Sequence, residues 1–181
     1  MRLPRTLVAT AAAALAVTGI TAGAAVTSSS SATADVRTVA VTGDAVVESK
    51  RLSSADAMRA ASAALAAAEA DGAGFVSVSV VDRNGQLQAF VRGENAASHT
   101  ISASRQKAYT AAAFGSPTSE LAKRATGDNA GLKDLPGTLF LAGAVPVKAG
   151  EASIGGIGVG GTPSGATDQE YAQAGLDAIT K

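Results

Sequence analysis

Two extended runs, Val76-Ser77-Val78-Ser79-Val80-Val81 and Leu87-Gln88-Ala89-Phe90-Val91, flank Asp82-Arg83-Asn84-Gly85. An Asn-Gly pair tolerates the positive φ of a tight turn, so the two runs are predicted to fold back as a β-hairpin. Along the first run Val76, Val78 and Val80 share one face, and Ser77 and Ser79 point the other way. A short loop then leads into Arg105-Gln106-Lys107-Ala108-Tyr109-Thr110-Ala111-Ala112-Ala113-Phe114-Gly115. Ser102 to Phe114 reads as a basic helix stopped by Gly115.

The N-terminal part reads differently. Arg2 and Arg5 make a short basic head, Leu7 to Ile20 is an apolar run, and small residues follow. This is the anatomy of a secretory signal peptide, with Ala22-Gly23-Ala24 or Ala32-Thr33-Ala34 as the cleavage site. A membrane anchor fits less well, because the run is short and is broken by Thr18 and Gly19. The expectation is a signal peptide over 1–34, a flexible leader over 35–51 and one domain over 52–181, giving a secreted, extracellular product. Val36 to Val47 is the one stretch of the leader able to pair as an edge strand. Cleavage after Ala34 leaves 147 of the 181 residues, with thirteen basic and fifteen acidic side chains. That near-neutral balance carries no electrostatic footprint for nucleic acid. The chain has no Cys, so packing and assembly, without disulfides, must hold the domain.

Elsewhere the periodicity predicts a helix capped at Ser53 or Ser54, with Met58, Ala61, Leu65 and Ala68 on one face and an end at Gly72 or Gly74. Ser116-Pro117 opens a third helix, on which Glu120 can pair with Lys123 or Arg124. Thr126 to Pro136 is a loop. Thr138 to Ala142, Val145 to Lys148 and Ala152 to Gly161 read as strands. Asp168 to Thr180 reads as a last helix with Ala172, Leu176 and Ile179 inward. The order is helix, two strands, two helices, three strands, helix, which argues for an α+β fold with an antiparallel sheet.

Few motifs carry chemistry. Gly156-Ile157-Gly158-Val159-Gly160-Gly161 spells GxGxxG, but inside an apolar strand instead of at a strand-to-helix turn. Close approach of a helix or another subunit to a strand without side chains explains it better. No GxSxG elbow is present, and one His without any Cys excludes a tetrahedral zinc site. That His99 is either an exposed loop residue or an axial haem ligand. Asp168 suits a helix N-terminus. The basic helix is the one candidate binding element. Its alanines leave room for a flat apolar ligand, Arg105 and Lys107 can meet propionates, and Tyr109 can ligate iron as a phenolate. Tyr109 lies about 100° from Thr110 on the helical wheel and need not share its pocket. The residues alone favour the plainer reading, Lys107 as a solvated charge and Thr110 as an ordinary helix position.

Several segments in order resemble the GlcG/HbpS family, also called the haem-degrading domain family. They are Val78 to Gly85, Arg92-Gly93, Lys107-Ala108-Tyr109-Thr110-Ala111, Pro117 to Leu121, Pro136 to Gly143, Pro146-Val147, Gly156 to Val159, and Asp168 with Ala172 and Ala174-Gly175. The secreted, haem-binding HbpS-like branch matches best, because a signal peptide precedes the domain. Departures fall at Glu94-Asn95-Ala96, at Gly143-Ala144-Val145 and at Val159-Gly160-Gly161.

The resemblance implies a profilin-like α/β/α sandwich on a five-stranded antiparallel sheet, homo-oligomers (octamers in that branch), haem and iron as ligands, and redox sensing with a membrane sensor kinase. With haem as the ligand, the basic helix is expected to bring Lys107, Thr110, Arg105 and Tyr109 to the cofactor, with Thr110 or His99 approaching the iron. Any haem breakdown would then follow from the bound iron, since no catalytic side chain is evident. The competing expectation is an oligomeric structural or regulatory partner of a membrane sensor, with no bound cofactor.

Overall fold

The computed structural model describes residues 43–180. The signal segment and the leader up to residue 42, including most of the stretch expected as an edge strand, lie outside them. Gly43–Ala45 is a 3₁₀ turn, and a compact unit begins at Val46. Among the described residues no helix is long and apolar enough to cross a membrane.

Helix α1 (Ser54–Ala70) is capped by Ser53, whose hydroxyl accepts from the Asp56 amide. The hairpin is β1 (Ser77–Asp82) and β2 (Leu87–Arg92). Its turn is held by the Asp82 carboxylate, which accepts from the Asn84 and Gln86 amides, and Gly85 supplies the positive φ of 78°. Helix α2 (Ser98–Phe114) ends at Gly115 in the left-handed region. Helix α3 (Thr118–Arg124), a 3₁₀ segment (Gly127–Asp134), β3 (Ala144–Ala149), β4 (Ala152–Gly160) and α4 (Gly165–Asp177) complete the order.

The sheet is antiparallel in the order β2-β1-β4-β3. One face carries Val78, Val80, Ala89, Val145, Val147, Ile157 and Val159, which pack with α1 and α4 into the main core. The α1 side of that core is built from Ala57, Ala60, Ala61, Ala64 and Ala68. Small side chains let the helices approach closely: a Cβ on Gly175 of α4 would come within 2.7 Å of the Ala60 carbonyl oxygen.

The other face takes α2. Here β4 presents Gly156, Gly158 and Gly160, and β1 beside it presents Ser77 and Ser79, with Ser77 opposite Gly160 and Ser79 opposite Gly158. A Cβ on Gly158 would lie 2.5 Å from the Ala108 amide nitrogen and nearer still to the Ser104 carbonyl. The GxGxxG run is therefore a trough for a helix. The two serines grip that helix through paired hydroxyls, Ser77 with Thr100 and Ser79 with Ser104, both at 2.8 Å.

Four strands form the sheet among the described residues, not five. Thr138 to Ala142, expected as a strand, is irregular. Its Leu139 amide is taken by the Thr110 hydroxyl at 2.8 Å, so the segment is tied to α2 instead of a ladder. Helix α2 begins four residues earlier than the periodicity suggests, which puts His99 in its first turn and not in a loop. Met58 is 48% exposed, because the inward face of α1 is filled by alanines. No Glu120 ion pair forms among the described residues, whose salt bridges are Arg59–Asp56 and Lys107–Asp168.

Candidate functional site

Helix α2 packs one side on the sheet, and the residues at 98, 101, 102, 105 and 109 recur on an adjoining side at the helical period. The turn between β1 and β2 rises beside that side. Together they border an open cavity of about 610 Å3, lined by Ile101, Arg105 and Tyr109 with the Asn84-Gly85-Gln86 turn and Gly137. Its volume falls within the range of small-molecule and cofactor sites.

The half-buried Tyr109 ring lies between two glycines. A Cβ on Gly85 would meet the ring at 2.7 Å, and one on Gly137 at 3.9 Å, and both residues have positive φ. Arg105 is exposed and reaches the Gly85 carbonyl only at 3.5 Å, the long limit of a hydrogen bond. Most of its five N–H donors thus remain available to a carboxylate. Ile101 and the tyrosine ring give the cavity an apolar wall, and Ser98, Ser102 and Gln106 give it a polar rim. Such a site suits a flat, largely apolar molecule with acidic substituents.

The six-residue stretch 105–110 divides by face. Arg105 and Tyr109 line the cavity. Lys107 is buried on another side, where its ammonium donates to an Asp168 carboxylate oxygen at 2.8 Å and to the Val159 carbonyl at 3.1 Å. It passes over Gly143, where a Cβ would lie 2.6 Å from its Nζ. Asp168 also accepts from the Thr162 amide and hydroxyl, so this carboxylate in the first turn of α4 is fully engaged. Thr110 is buried, with its hydroxyl donating to the Gln106 carbonyl and accepting from the Leu139 amide. His99 is exposed and does not line the cavity. Among the described residues, no three His, Cys, Asp or Glu side chains gather in a metal-binding group.

Sequence reasoning therefore reached two of the cavity residues and passed over Ile101, Ser102, Gly137 and the turn. The periodic spacing of 98, 101, 102, 105 and 109 carried the signal for the helix wall. Nothing local signalled that a turn 20 residues away would form the other wall.

Residues 52–177 match a family model described as haem-degrading protein HbpS-like. A crystal structure of HbpS is 47% identical, with 79% of this chain and 100% of that chain covered and a TM-score of 0.76. The structure of a double mutant of Streptomyces reticuli HbpS is 46% identical over 80% of this chain and 98% of that one, with a TM-score of 0.77. A PduOC–heme complex is 26% identical over 72% and 96%, with a TM-score of 0.65. No curated protein sequence matches the chain.

Proposed function

The chain belongs to the HbpS-like family of haem-degrading proteins, and from that premise we propose that it binds haem in the cavity between α2 and the β1–β2 turn. The observation that carries this reading is the pairing of an apolar wall, Ile101 and the Tyr109 ring, with the exposed guanidinium of Arg105 in the same lining, most of whose donors are unused. A porphyrin needs both: apolar area for its faces and a cation for its propionates. Arg105 would hold a propionate through charge-assisted hydrogen bonds. Tyr109 would cover one face of the ring or offer its phenolate to the iron. Bound haem would supply the redox chemistry of its iron. The related PduOC–heme complex supports the choice of ligand. In this reading Lys107 belongs to the framework behind the site, and His99 stands outside the cavity.

Haemin titration of the purified protein, followed at the Soret band, tests the proposal. We expect saturable binding, weakened roughly tenfold by Arg105→Met, the scale of one lost charge-assisted hydrogen bond. Absence of a saturable shift ends the haem reading. An undiminished shift after Arg105→Met with Tyr109→Ala moves the ligand elsewhere.

The finer parts of the reading rest on less. Export is proposed from the basic head, apolar run and small-residue cleavage sites of residues 1–34, and N-terminal sequencing of a secreted product at residue 25 or 35 checks it. Assembly into homo-oligomers, octamers among them, is proposed from the resemblance to the HbpS-like branch, and light scattering with and without haemin checks it. Redox sensing through bound iron, in contact with a membrane sensor kinase, is proposed on the same ground. Co-purification of a sensor ectodomain that responds to peroxide only in the presence of haemin is its test.

A further inference from the structure

We infer that Thr110 is a positioning residue: its hydroxyl clamps the 135–141 segment onto α2 and so sets the wall of the cavity that Gly137 forms. The inference rests on the haem reading for what the cavity holds, but the clamp itself is a property of the protein alone.

The side chain lies between two structural units. On α2 its hydroxyl donates to the Gln106 carbonyl at 2.7 Å, one turn back. Outward it accepts the Leu139 amide at 2.8 Å. The hydroxyl hydrogen is thereby fixed and a lone pair is aimed at the segment. The segment has one other strong anchor, Phe140, which is buried with Leu121, Ala125 and Leu132 and meets Phe114 of α2 edge to face; the residues before it are held less firmly. Thr138 bonds only to Leu135 within it, through its amide and its hydroxyl, and Leu135 and Leu141 are exposed. Two residues before Leu139, Gly137 holds a φ of 78° and sits against the Tyr109 ring. Thr110 and Tyr109 are adjacent in sequence and point to different sides of α2. One helix thus both presents the ring and holds the backbone that packs against it. If the hydroxyl lets go, Phe140 still holds the far end of the segment, but Gly137, three residues before it, is no longer tied by a hydrogen bond to the helix that carries the ring.

This geometry gives Thr110 a different role from iron ligation. Its oxygen is fully buried, with its hydrogen donated and one of its two lone pairs taken by the Leu139 amide. A metal could reach the other lone pair only if the packing that buries Thr110 opened.

Two variants and the wild type decide the matter. Thr110→Val keeps the shape and loses the hydroxyl, Thr110→Ser keeps the hydroxyl, and wild type is the reference. Amide hydrogen exchange without any ligand reports the clamp, because a bonded, enclosed N–H exchanges only through opening. We expect the Leu139 amide to be protected in wild type and in Thr110→Ser, and to exchange at least tenfold faster in Thr110→Val. Haemin affinity should fall up to tenfold in Thr110→Val, as one buried hydrogen bond would predict, and recover in Thr110→Ser, with the Soret position of every complex unchanged. A shifted Soret position in Thr110→Val would overturn the inference in favour of ligation. Lower melting temperature with unchanged haemin affinity would overturn it in favour of a merely structural hydroxyl. Should Thr110→Val not fold, rapid exchange of Leu139 in wild type is sufficient to refute the clamp, and protection there supports it. Failure of wild type to bind haemin would remove the proposed function, while Leu139 protection would still report separately on the clamp.

Discussion

Deleting one member of the Lys107–Asp168 pair should cost far more than deleting both. The two side chains are 7% and 2% exposed and meet at 2.8 Å. Burying either charge alone carries a desolvation penalty of several kcal/mol that water no longer offsets, so losing one partner of such a pair typically costs about 3–5 kcal/mol. The structure ranks the two sides. In Lys107→Met the Asp168 carboxylate keeps the Thr162 amide and hydroxyl as donors, so the loss should be near the low end, about 3 kcal/mol. In Asp168→Ala the ammonium keeps only the Val159 carbonyl, and the loss should approach about 5 kcal/mol. Lys107→Met with Asp168→Ala removes both charges and leaves neutral Thr162 and Val159 groups to satisfy, at about 1–3 kcal/mol. Urea unfolding of the four proteins in a double-mutant cycle measures this. The expected coupling is several kcal/mol, with the double variant more stable than Asp168→Ala. Additive losses, or a single variant costing under about 1 kcal/mol, would mean the pair is hydrated in solution and does not tie α2 to α4.

Two further outcomes follow from the packing. Gly158→Ala should destabilise by about 1–3 kcal/mol or more, since its methyl has no room against the α2 backbone; a chemical-denaturation midpoint equal to wild type would mean that α2 does not sit in the glycine trough. Tyr171 of α4 is buried in the core that holds the α1 alanines, and burial first, then the Asp71, Glu170 and Asp168 carboxylates, raise its phenol above the ordinary pKa of 10.0. Above that pH the unfolded chain releases a proton that the folded one retains, so this contribution is intact below it and is lost as pH rises through the folded value. Melting temperatures compared at pH 9 and pH 11 should therefore fall less for Tyr171→Phe than for wild type; equal falls would remove Tyr171 from the account.

Local chemistry along the chain determined a good deal. Asn84-Gly85 placed a hairpin because few residues tolerate that turn, and the valine–serine alternation of β1 assigned its two faces because strand side chains alternate. Gly115 ended α2 for the same steric reason that Asn-Gly made a turn. The family, too, was legible, in short segments held in order over the whole domain. What the tertiary structure decided are the relations between distant residues. Thr138 to Ala142 has a strand-like composition, but a single hydroxyl from α2 takes its amide and keeps it out of the sheet. Lys107 looked like a surface cation until Asp168, 61 residues away in sequence, was brought against it. A periodic pattern shows which residues share a side of a helix. Which side meets the sheet, which meets a neighbouring turn and which charge finds a buried partner depend on contacts between segments far apart in the chain, and no local spacing encodes those.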